Sequence, residues 1–164
     1  MRKSIRSGLL AAASAVAVLA AGSFAVAAAA GPPWGPETPK FNLEVILRPS
    51  AGGGGFGHVK FRQPNDSDKI VYLDTWVRDL APNHEYLLER AVDSPNVVDG
   101  SCTSSTWLTL GAISTDDRGR GSAALSRNLP SPVGTTFDIH FHVIDAGTRA
   151  AVLESGCYHF TISL

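Results

Sequence analysis

Asp138, His140 and His142 stand at alternate positions in the segment Phe137-Asp-Ile-His-Phe-His-Val-Ile144. In a β-strand, residues two apart share a face and lie about 7 Å from one another. This spacing therefore offers a two-histidine metal arrangement with a carboxylate beside it, the ligand types that zinc and copper take. Glu89 is a second carboxylate that a reduced site of this kind would draw on. The competing expectation is plainer: a solvent-facing polar stripe opposite a core face of Phe137, Ile139, Phe141 and Val143. Because ligand geometry is strict, the stripe is the expected reading. His58 and His159 fall at outward positions of other strands and His84 falls in a turn. Spacing does not decide whether any of them reaches His140.

Other catalytic patterns are incomplete. Asp138-x-His140 has no Ser or Cys on a nucleophile elbow to activate. Asp116-Asp117 lies in a tight turn, an exposed setting that shifts a carboxyl pKa little, and reads as turn-forming. Ala51-Gly-Gly-Gly-Gly55 lacks the following helix and the Lys-Ser or Lys-Thr of a phosphate-binding loop; Phe56-Gly-His-Val-Lys-Phe-Arg62 after it is a strand. Asn65-Asp-Ser67 matches a glycosylation sequon, relevant only in a host that uses one.

The elements that must position these residues are all strands. Phe41, Leu43, Val45 and Leu47 alternate with polar neighbours, as in a half-buried strand. Val71, Leu73, Thr75 and Val77 form one face of Ile70–Arg78, with Tyr72, Asp74, Trp76 and Arg78 on the other. Leu80-Ala-Pro-Asn-His-Glu-Tyr86 then joins that strand to Leu87–Arg90. Pro82 fixes φ and Asn83 tolerates a left-handed conformation, and a buried Tyr86 is expected to cap the corner of a β-sandwich. Asp93 to Ser105 is the longest loop. Thr115-Asp-Asp-Arg-Gly119 is a hairpin turn between Trp107–Ile113 and Gly121–Leu125, with Gly placed for positive φ. The last strand, Tyr158–Leu164, buries Tyr158, Phe160 and Ile162. No stretch after residue 30 repeats apolar residues at helical spacing for three turns. About eight short strands at roughly ten-residue intervals predict an all-β fold, a Greek-key β-sandwich or flattened barrel of antiparallel strands.

Residues 1–30 read as a secretory signal peptide: Arg2, Lys3 and Arg6 precede a long Ala-rich apolar run. Residues 31–40 read as a Pro/Gly-rich arm, and residues 41–164 as the domain. Cleavage after Ala30 leaves 134 of the 164 residues; it removes three positive charges and no negative one, taking the formal charge from −1 to −4. A mildly acidic domain without a basic patch makes nucleic acid an unexpected partner. No second apolar run is long enough to span a membrane. Cys102 and Cys157 both fall in the exported part, and two cysteines in an oxidising compartment pair most simply with each other. Their disulfide closes a loop of about 55 residues, worth roughly 4 kcal/mol by chain entropy.

Several strings in shared order resemble the copper–zinc superoxide dismutase family. Gly57-His-Val-Lys-Phe-Arg-Gln63 is similar to its opening strand, and Asp79-Leu-Ala-Pro-Asn-His-Glu-Tyr86 to the Gly-Leu turn before its His-x-His strand. Gly100-Ser-Cys102 is similar to the loop carrying half of its disulfide. Leu110-Gly-Ala-Ile-Ser-Thr-Asp-Asp-Arg-Gly119 matches its Leu-Gly strand and Asp-Gly hairpin, and Ser155-Gly-Cys157 the other disulfide half. The resemblance spans residues 57–164 and implies a β-sandwich. It does not carry over the metal site. Leu87 and Glu89 stand where the family has two copper-binding His. Ser104-Ser-Thr-Trp-Leu-Thr109 lacks the zinc ligands, and Glu154 replaces the guiding Arg. Only His140 matches a late copper ligand.

The expectation is thus a secreted, non-enzymatic β-sandwich with a structural or binding role in the cell envelope or extracellular space, holding no cofactor. Its partner would be an unidentified protein or envelope component. Trp34, Tyr72, Trp76 and Trp107 are candidates for a partner surface, with core packing expected for at least two of them. The alternative is an envelope copper- or zinc-binding protein using His140 and His142. A third is strand addition through the arm or a sheet edge.

Overall fold

The structure, a computed structural model, describes residues 41–50, 52–64 and 68–163. The expected signal peptide and arm, Trp34 within the arm, and the Asn65 sequon lie outside the described residues. Nine strands and no helix occur among those described. They are β1 (Phe41–Pro49), β2 (Phe56–Gln63), β3 (Ile70–Arg78), β4 (Glu85–Val92), β5 (Leu108–Ser114), β6 (Gly121–Asn128), β7 (Thr136–Asp145), β8 (Ala151–Ser155) and β9 (Tyr158–Thr161). All pairings are antiparallel, in the order β5-β4-β7-β8-β1-β2-β3-β6, with β9 on the first half of β7. The sheet curls into a nearly closed, flattened barrel. Its two ends, β5 and β6, run side by side and are bridged only at their hairpin, Thr115 to Gly121.

Alternation sets what faces inward. Val45 and Leu47 of β1, Val59 and Phe61 of β2, and Val71, Leu73, Thr75 and Val77 of β3 are buried. Ile139, Phe141 and Val143 of β7 meet them, with Phe61 edge-on to Phe141 and Phe160 at 6.0 and 4.7 Å between centroids. Tyr158 is only partly buried; its hydroxyl accepts the Ile46 N–H at 3.1 Å. Tyr72 and Trp76 stay on the outer face of β3, where Trp76 stacks on His58. These two candidate aromatics lie outside the core, on the face where alternation along β3 puts them.

The ninth strand, β8, was not anticipated. Its five residues carry only one buried apolar side chain, Leu153, so no apolar alternation shows in the sequence. β8 nevertheless links the two halves of the sheet, pairing β7 on one edge and β1 on the other.

The β3–β4 corner forms as expected. Asp79 and Asn83 take φ of 58° and 51°, and the buried Tyr86 hydroxyl accepts the Ala81 N–H at 3.0 Å. The corner docks on the β5–β6 hairpin: Leu80 N–H donates to Gly119 O and Asn83 N–H to Asp116 O. Gly119, at φ 71°, is required there, since a Cβ would lie 2.1 Å from Leu80 O. Asp116 organises the turn by accepting the Arg118 and Arg120 amides, which hold its carboxyl below the usual range.

Candidate functional site

Strand order β5-β4-β7 places Glu89 at the centre of a polar row. Its register partners are Thr109 on β5 and His142 on β7. A bulge between Leu88 and Glu89, which leaves Leu110 unpaired opposite, brings Thr109 level with the carboxylate. Glu89 is 3% exposed. Its Oε1 accepts the Thr109 hydroxyl at 2.6 Å and Arg149 Nη2 at 2.7 Å, and its Oε2 accepts His142 Nε2–H at 2.7 Å. A carboxylate only accepts, so the His142 proton resides on Nε2. Burial pushes the Glu89 carboxyl upward; the hydrogen bonds from Thr109, His142 and Arg149, with the Arg149 charge, outweigh it, and the net shift is downward.

Arg149 reaches Glu89 because of the β7–β8 turn. Asp145 Oδ1 accepts the Gly147 and Thr148 amides, and Arg149 takes φ 63°, which swings its side chain back across β7. The other carboxylate oxygen of Asp145 accepts His84 Nε2–H at 2.7 Å. His84 thus pairs far from His140, His58 lies against Trp76, and His159 contacts Thr161. None of the three converges on His140.

The outer face of β7 is not a solvent-facing stripe. Asp138 is 1% and His142 8% exposed, because the Asp93–Trp107 loop folds over them. Trp107 stacks on the His142 ring at 3.5 Å and 11°, and tilts against His140 at 4.6 Å. His140 Nε2–H donates to Ser104 O at 3.1 Å. Asp138 Oδ2 accepts the Asp99 and Gly100 amides at 3.0 and 2.8 Å. Asp93 accepts the Thr103 and Ser104 amides and the Thr103 hydroxyl, which hold it below the usual carboxylate range. The Cys102–Cys157 disulfide, Cα–Cα 5.4 Å, ties the same loop to the start of β9.

Both histidines donate from Nε2 to oxygen, which leaves the lone pair of each ring on Nδ1. Asp138 is turned to backbone amides. Among the described residues no group of three or more His, Cys, Asp or Glu is placed to hold an ion. The structure does bring His142 and Glu89 together, and it separates Asp138 from both through its own partners. Arg149, Thr109 and the stacking role of Trp107 were missed by sequence reasoning. A charged residue inside the apolar run Tyr86-Leu-Leu-Glu-Arg-Ala-Val92 was the available signal. Comparison with models of known protein families, with curated proteins and with solved structures finds no match for this chain.

Proposed function

We propose that the chain is an exported, disulfide-locked β-barrel domain without enzymatic activity, a binding or structural module of the cell envelope or extracellular space. We further propose that it is a degenerate relative of the copper–zinc superoxide dismutase family. One observation carries the functional reading. Glu89, Asp138, His140 and His142, the groups closest to a reactive site, all spend hydrogen bonds on internal partners that pin the Asp93–Trp107 loop and the β7–β8 turn. Such a cluster positions loops: its one hydroxyl, Thr109, is turned to Glu89, and among the described residues no three His, Cys, Asp or Glu side chains are grouped to hold an ion. The Cys102–Cys157 bond supports an oxidising compartment.

The test is metal content and superoxide turnover of the mature protein produced in an oxidising compartment, followed by copper and zinc titration. The module reading expects neither turnover nor stoichiometric uptake. Uptake that disappears in a His140→Ala, His142→Ala variant would establish the copper- or zinc-binding alternative in its place.

A further inference from the structure

Tyr86, Leu88, Arg90 and Val92 alternate toward the barrel interior, and Arg90 lies opposite Phe141 in register. An arginine on a core-facing position is costly unless something answers its charge. Arg90 is half-buried, and its guanidinium makes no ion pair or hydrogen bond with another described residue. Its charged neighbour is a second guanidinium, Arg127 of β6. Burial, and then this like charge, draw the Arg90 pKa below its usual value.

Both arginines line an apolar cavity of about 190 Å³, with Phe61 and Phe160 buried at its floor and Phe137 and Ile139 in its wall. The cavity lies where the barrel is not zipped. β5 and β6 are bridged at Thr115–Gly121, and toward their far ends the exposed Arg127 reaches over the seam, donating from Nη2 to Thr109 O at 2.7 Å and Leu110 O at 3.1 Å. Asp93 also borders the cavity, but its carboxylate is engaged by Thr103 and Ser104. An apolar cavity of about 150 Å³ holds benzene, so this one accommodates an aromatic ring or a short alkyl chain.

We propose that this cavity binds a small amphipathic anion: a carboxylate on an aryl or short alkyl group, its apolar part among the phenylalanines and its charge between Arg90 and Arg127. The proposal names a ligand class for the binding module and rests on that reading. The two fail separately, since turnover or metal uptake would remove the module reading without reporting on the cavity.

The experiment is calorimetric titration of the mature protein with phenylacetate, and with phenylacetamide and 2-phenylethylamine as neutral and cationic partners of similar shape. Phenylacetate is expected to bind one per chain and the amine not at all. Arg90→Gln should weaken phenylacetate by roughly tenfold or more, the usual effect of losing a charge-assisted hydrogen bond. Arg127→Gln, at an exposed position and with folding checked by thermal unfolding, should weaken it in the same direction. Val92→Phe, which narrows the cavity without touching either charge, should also reduce binding. Absence of phenylacetate binding, equal binding of acid and amine, or phenylacetate affinity unchanged in Arg127→Gln would each overturn the proposal.

Discussion

Glu89→Ala is the sharpest test of the outer polar cluster. The substitution leaves three donors without their acceptor, and they are not equivalent. Arg149 is 56% exposed in its side chain and regains water, so its share is at most about 1 kcal/mol. Thr109 is half-buried and loses about 1 kcal/mol. His142, at 8% exposure beneath Trp107, cannot be rehydrated without moving the loop; an unsatisfied buried donor costs about 1–3 kcal/mol. The total is roughly 2–5 kcal/mol, reaching the range found when one partner of a buried ionic pair is removed. For a domain of this size that lowers Tm by roughly 10–20 °C. Glu89→Gln keeps the volume and supplies the pH arm. The folded-state carboxyl is held below its unfolded value, so its stabilisation is complete above about pH 5 and is lost as pH falls through the lowered folded value. The stability gap between the two proteins must therefore narrow on acidification. Asp93, Asp99, Asp116 and Asp145 shift in the same direction, but they are common to both proteins and cancel in the difference. Denaturant unfolding from neutral pH to about pH 3, with the disulfide intact, measures this. A Glu89→Ala loss below about 1 kcal/mol, or a Glu89→Gln gap that stays constant with pH, would refute the reasoning.

Three further outcomes follow from the same geometry. Gly119→Ala meets Leu80 O and an unfavourable φ together, and should cost about 2–4 kcal/mol by thermal unfolding, more than an ordinary Gly→Ala change in a turn. Tyr86→Phe removes only the hydroxyl that accepts the Ala81 amide at the β3–β4 corner; about 1–2 kcal/mol is expected in denaturant titration, with the fold retained. Reducing Cys102–Cys157, or replacing both with Ser, should lower stability by about 2–4 kcal/mol. Hydrogen exchange should then rise first in the Asp93–Trp107 loop that the bond anchors.

The amino-acid sequence by itself determined the all-β class, the inward faces of β3 and β7, the Tyr86 corner and the turn at Gly119. Each of these is written in neighbouring residues: period-2 alternation, a Pro-Asn turn, a glycine where φ must be positive. The disulfide was legible for a different reason, since two cysteines have one pairing. The tertiary structure alone decided what covers the second face of β7. Alternation says that His140 and His142 point away from Phe141; it does not say that a loop and Trp107 will bury them there. It also decided that Glu89 lies beside His142, 53 residues away, and that Thr109 flanks it across a bulge. Arg90 stands between these cases. Its parity with Leu88 and Val92 was present in the sequence, yet only the unzipped β5–β6 seam gives that inward charge an apolar cavity and a second arginine. Periodicity is a property of adjacent residues, whereas strand neighbours and loop cover are set by contacts between distant ones.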